Sequence, residues 1–271
     1  MNLLSGEHLI ALTDYHNGNL PYGICCRFED LNLHNLFRRG RAFSIQGGLA
    51  RFSPGGLSVQ LGAAEIWQPE PLVIGTAAVD RGGENLAGWL LSLNGAPVSQ
   101  PHLRWLAESV NGYHTLPANI GVWSTRFAAR VMRLTHSVEV ADWSSVEEAA
   151  VGLLGLGIGL TPSGDDFLAG FLATGLALGP SSAFQHLAHT VAGRARTNTT
   201  LVSAALLRAL SRGQVGERFG TLLAALDGSP SDLEAAAKNM LEFGSSSGIE
   251  TMYGLLYGLR TMDRIDLSKS E

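Results

Sequence analysis

The run Gly155-Leu-Gly157-Ile-Gly159-Leu160-Thr161-Pro162-Ser163-Gly164-Asp165-Asp166-Phe-Leu168-Ala-Gly170 constrains this chain most. Its alternating glycines leave a backbone without Cβ atoms, able to approach a ligand or another chain closely. Ser163 and Asp166 have the S-x-x-D spacing of a capping box. The spacing predicts a helix starting at Gly164, with Ser163 at the N-cap and Asp165 and Asp166 at the second and third helical positions. The helix that follows carries Ala169, Gly170, Ala173, Thr174, Gly175 and Ala177. Glycine weakens a helix by about 1 kcal/mol against alanine. Several glycines kept in one helix therefore predict a second helix crossing very close.

The same segment points to chemistry. Free N–H groups at a helix start suit phosphate or carboxylate. Two aspartates in one turn repel an anion unless a cation bridges them. Adjacent acids with hydroxyls nearby suit Mg²⁺, which takes few protein ligands and favours substrate oxygens. Asp165 and Asp166 are thus the candidate catalytic acids and the candidate Mg²⁺ ligands. Gly157, Gly159, Thr161 and Ser163 are candidate substrate-binding positions. The competing reading is that both acids merely complement the helix dipole. Capping accounts for one acid and leaves the second, and the glycine run, unexplained. The segment is not a dinucleotide fingerprint, because no strand-like run precedes it closely and the third glycine position is lacking.

Two further clusters share these features. Arg194 and Arg196 precede Thr199, Thr200 and Ser203 at a helix start. Arginine forks match carboxylate or phosphate oxygens, so Arg194, Arg196, Thr199 and Thr200 are candidate anion ligands. An ordinary interhelix turn with capping threonines explains them equally well. Gly244-Ser-Ser-Ser247-Gly248-Ile-Glu250-Thr251 is a second glycine–serine loop meeting a helix start, which adds Ser247 and Glu250. Capping is again the alternative. The two loops together suggest one shared pocket.

Composition removes many classes. Of the 19 lysines and arginines only Lys238 and Lys269 are lysines, both in polar stretches. A Schiff-base lysine is disfavoured on that ground, and no P-loop G-x-x-x-x-G-K-[ST] occurs. A net charge of −5 with no basic run disfavours nucleic acid and membrane surfaces. Cys25 and Cys26 are adjacent and alone, so there is neither a disulfide framework nor a C-x-x-C zinc pair. His186 and His189 lack the H-E-x-x-H pattern, and no G-x-S-x-G elbow occurs. The apolar runs 149–160 and 167–179 each span about 20 Å as helices, short of a ~30 Å bilayer core. No signal peptide is evident, which leads to the expectation of a cytoplasmic protein.

The hydrophobic period changes along the chain. AFSIQGGLARF and GLSVQLG flank a turn at Ser53-Pro54-Gly55-Gly56, and AAEIWQP and PLVIGTAAV follow as further strand candidates. Beyond residue 80 apolar residues recur at i, i+3, i+4, with Gly95 and Gly112 as helix stops. Trp143 onward is nearly all helix signal, with Ser144 or Ser145 as first cap. The five tryptophans are dispersed and read as core or interface anchors. The fold class expected is α+β. A β-rich N-terminal part, residues 1–142, is followed by a helical bundle, residues 143–271, with a soft boundary between 80 and 142. Residues 1–40 give no signal that places them.

The central run resembles the AllH family of oxamate carbamoyltransferase subunits. Gly155, Gly159, Leu160, Thr161, Pro162, Ser163, Asp165, Asp166 and Gly170 carry the resemblance. The Pro54-Gly55-Gly56 turn, Thr199-Thr200 with Ser203, and Ser247-Gly248 with Thr251 and Gly254 add to it. Glu250 stands where the family can carry aspartate. The resemblance implies carbamoyl transfer between carbamoyl phosphate and oxamate in purine (allantoin) catabolism, by an assembly with other subunits and with no organic cofactor. Two alternatives stand beside it: a non-catalytic scaffold subunit, and a stand-alone metal-dependent hydrolase of small amides.

Overall fold

The structure is a computed structural model that describes residues 2–5, 8–27, 42–53, 58–76, 78–93, 100–110, 121–179 and 181–264. The Pro54-Gly55-Gly56 turn and the helix stops at Gly95 and Gly112 lie outside the described residues. Two small sheets come first. β1 (Asn2–Ser5) and β2 (His8–Asp14) are antiparallel, and β3 (Gly23–Cys26) runs parallel to β2. β4 (Ala42–Gln46), β5 (Leu49–Ser53) and β6 (Ser58–Gln60) form an antiparallel meander. Leu12, Ala50 and Phe52 make a small core between the sheets, with Phe43 stacked on Phe52. The N-terminal segment that carries no placing signal in sequence therefore holds a whole sheet.

A run of helices follows: α1 (Gly83–Ser92), α2 (Pro101–Ser109), α3 (Val122–Glu139), α4 (Trp143–Val151), α5 (Ser163–Ala177), α6 (Ser182–Asn198), α7 (Leu201–Leu210), α8 (Glu217–Ala225), α9 (Pro230–Leu241) and α10 (Ser247–Asp263). The α+β reading, strands before helices, is what the structure shows. One apolar cluster runs from Ile74 to Met262 through all of these helices. Trp105 is buried in it, and Trp89, Trp123 and Trp143 pack against it.

Several local expectations need correcting. Residues 63–75 form no strand among the described residues. Pro69 and Pro71 interrupt the run, and its last two donors go to partners that are not strands. The Ile74 N–H donates to the Ala177 carbonyl, and the Gly75 N–H to Asp227 Oδ2. α4 is capped by Asp142, which accepts from the Ser145 N–H, and not by Ser144 or Ser145. α5 begins one residue earlier than the capping box predicts. Pro162 is its N-cap and has no side-chain capping bond, so Ser163 is the first helical residue.

The close crossing is real. α5 and α10 are buried along nearly their whole lengths. A Cβ on Gly170 would overlap the Thr251 carbonyl oxygen, and one on Gly254 would overlap that of Phe167. The two backbones touch where the glycines stand, which sets the starts of both helices side by side.

Candidate functional site

The glycine-rich loop turns back onto the start of α5. Gly155, Gly157 and Gly159 all have positive φ, at 74°, 121° and 99°. At Gly157 a side chain would also meet Ser163 N at 2.6 Å. The loop can therefore fold over the first turn of α5 only with glycine there. Gly164 N–H donates to the Leu156 carbonyl, which closes the fold-back.

Asp165 and Asp166 are both almost wholly buried, yet their surroundings differ. Asp165 Oδ1 accepts from the Gly155 N–H at 2.9 Å, and Oδ2 accepts a short bond from the Thr199 hydroxyl. Burial pushes the Asp165 carboxyl above its usual range, while Thr199, Gly155 and Ser203 oppose that shift. Ser203 Oγ acts on Asp165 without a hydrogen bond of good geometry. Asp166 is pushed well above the usual carboxylate range, first by burial and then by the charge of Glu250; Ser247 and Thr161 pull the other way. Its Oδ2 has no hydrogen-bond partner.

The second loop joins the first. Thr161 Oγ1 and Ser247 Oγ are 2.7 Å apart, bridging the start of α5 to the start of α10. Thr200 at the start of α7 donates a short bond to the Leu160 carbonyl, tying the third cluster to the same loop. Asp165, Asp166, Thr161, Thr199, Thr200, Ser247 and Glu250, widely separated in sequence, are thus gathered around one point. Ser163 is buried against Gly157. Gly159 and Leu160 are exposed on the loop's outer side. Arg194 and Arg196 are exposed on α6, and no arginine is among the groups that shift Asp165 or Asp166. A different set of arginines, Arg126, Arg130 and Arg133 of α3, lines an open groove with Gly152 and Leu156 beside the start of the loop. Arg133 is already paired with Glu148 at 2.6 Å.

Two residues join the cluster that sequence reasoning did not single out. His102 of α2 is fully buried, and its Nε2 donates to Glu250 Oε1 at 2.7 Å. Trp123 and Phe127 pack on the ring, and Nδ1 is unpartnered. A lone histidine in an apolar helix looks like a core residue until its partner is seen. Tyr22 comes from the N-terminal part. Burial, with the charge of Asp166 added, raises its phenol to about 12. Tyr22 also lines a pocket of about 50 Å³ with Leu20, Ala169, Leu206, Phe219 and Thr251. The N-terminal part therefore lines this pocket together with the helices.

Residues 153–259 match the family described as oxamate carbamoyltransferase subunit AllH. Over that segment the chain is similar to this family. The matched segment takes in the glycine-rich loop, both aspartates, the Thr199–Thr200 turn and the Ser247–Glu250 helix start. His102 and Tyr22 lie outside it. No solved structure matches the chain. No helix among the described residues is long and apolar enough to cross a membrane.

Proposed function

We propose that this protein is a subunit of an oxamate carbamoyltransferase-like enzyme and that the junction of the two loops receives a small anionic substrate. The supporting observation is the AllH match over the segment whose loops converge on one buried acid cluster. In such a transfer the amide nitrogen of oxamate attacks the carbonyl carbon of carbamoyl phosphate. The C–O bond to phosphate breaks, phosphate departs, and the amide gives up a proton. Positioned donors must hold the phosphate and the developing oxyanion. Gly157, Gly159, Thr161, Ser163 and Ser247 are the candidate donors for this, with Arg194 and Arg196 of α6 as candidate anion ligands, while the Thr199 and Thr200 hydroxyls already donate to Asp165 and to the Leu160 carbonyl and hold the loop. Asp165 has both oxygens engaged and holds the loop. Asp166 keeps an unpartnered oxygen and is the acid available to reacting groups.

The test is carbamoyl transfer from carbamoyl phosphate to oxamate in the assembly reconstituted with its other subunits. Asp166→Asn is expected to remove transfer while the assembly still forms. Full transfer by that variant would sink the catalytic assignment. The second reading, a scaffold subunit, is favoured by one observation. Ile158, Leu160 and Leu201, beside the loop, are 80%, 66% and 55% exposed. Charged replacements of these three are expected to break co-purification with the partner subunits if the face is a docking surface.

A further inference from the structure

Two of the unpaired oxygens in the cluster belong to carboxylates on different helices. Asp166 of α5 is 1% exposed and Glu250 of α10 is fully buried. Each has one oxygen, Oδ2 and Oε2, with no hydrogen-bond partner. Glu250 is the charge that acts most strongly on Asp166, and the hydroxyls of Thr161 and Ser247, 2.7 Å apart, join the two helix starts that carry these acids. Buried charges are found paired or bound to metal, since burying an isolated carboxylate strips it of its water without replacement. The helix N-termini supply roughly half a positive charge each, too little for two carboxylates with Asp165 close behind. His102 engages only Glu250 Oε1, the other oxygen.

We infer that Asp166 and Glu250 together form the site of a hard divalent cation of the Mg²⁺ class, with the paired hydroxyls of Thr161 and Ser247 beside it. This moves the cation from the adjacent aspartates to a pair contributed by two crossing helices. Asp165 does not fit the role, because donors already occupy both its oxygens. Among the described residues no three of histidine, cysteine, aspartate and glutamate converge as a metal set. A site of two carboxylates and hydroxyls is therefore sparse. Sparse oxygen sites suit Mg²⁺, which keeps much of its own water and completes its shell with substrate phosphate. His102 is then a positioning residue that orients Glu250, as partners behind metal ligands do. Thr161 is half-buried and adjoins the exposed residues 158–160, giving the ion and a phosphate a way in. The phosphate part of this inference rests on the carbamoyl-transfer reading; the cation part does not.

The test uses the full-length chain and Mn²⁺ as probe, followed by electron paramagnetic resonance. One Mn²⁺ per chain is expected, displaced by Mg²⁺, with affinity at least tenfold weaker in Asp166→Asn and in Glu250→Gln. Added inorganic phosphate is expected to tighten binding. Amide broadening by Mn²⁺ in the unmutated chain gives a second measurement that needs no variant; it is expected at Thr161 and Ser247. Absence of Mn²⁺ binding, undiminished binding in both variants, or broadening elsewhere overturns the inference and assigns the pair to a shared proton. Mn²⁺ bound there, with no transfer by the assembly reconstituted with its other subunits, would overturn the carbamoyl-transfer reading alone.

Discussion

Asp165 accepts from the Gly155 N–H and the Thr199 hydroxyl, so Asp165→Asn would set an amide NH₂ against a donor. Leaving such a buried group unsatisfied costs about 1–3 kcal/mol, and urea unfolding is expected to show that loss. Asp166→Asn is expected to do the opposite in the presence of a chelator. Burial and the Glu250 charge raise the Asp166 pKa above its ordinary 3.8. Ionising a group whose folded pKa is raised weakens the fold, so its contribution is full below 3.8 and fades as pH climbs. The melting temperature of Asp166→Asn relative to the unmutated protein should therefore rise from acid to neutral pH. A variant less stable than the original at neutral pH would contradict this. The acids were legible in sequence because two of them share one turn after a glycine run. Their division of labour was not, since it depends on Thr199 reaching Asp165 and Glu250 reaching Asp166 from other helices. Ser163 has the spacing of a cap but not the role. The Pro162 carbonyl already accepts from the Asp165 and Asp166 N–H groups, which moves the helix start back by one residue.

At the scale of elements, the α5–α10 crossing has no room for a methyl group at its contact glycines. Gly254→Ala would drive a Cβ into the Phe167 carbonyl oxygen. Overpacking of this kind costs about 3 kcal/mol, and the denaturant midpoint should fall accordingly. Gly193→Ala serves as contrast. Gly193 is an exposed interior residue of α6 with nothing within 4 Å of a built Cβ. It should gain roughly 0.5–1 kcal/mol from helix propensity alone. Small residues at helical spacing announced the crossing, because only a close neighbour justifies glycine inside a helix. Nothing in them named α10 as that neighbour. The strand candidates over 63–79 failed for a related reason. Extended, apolar chain becomes a strand only if another strand pairs with it, and here Ile74 and Gly75 donate to the end of α5 and to the Asp227 side chain.

Across the molecule, the β1–β3 sheet meets the helices through a compact polar clamp. Glu217 Oε2 accepts from the Asn19 backbone and side-chain amides at 2.8 and 2.9 Å, and the Glu217 N–H donates to the Asn19 carbonyl. Arg218 donates to the His16 and Asn239 carbonyls, both at 2.7 Å. Glu217→Ala is expected to loosen residues 8–26 from the helices. Limited proteolysis should then cut that segment earlier while the helical core melts almost unchanged, because the core cluster begins at Ile74. The order of strands and helices, and a helix that starts close before two adjacent acids, follow from the sequence alone. Periodicity, residue type and local spacing are properties of short stretches, so a single chain read along its length contains them. Only the tertiary structure decided that His102, Asp166 and Glu250 share one buried environment. Each comes from a different element, and the electrostatic demand of two buried carboxylates exists only once packing has removed the water between them.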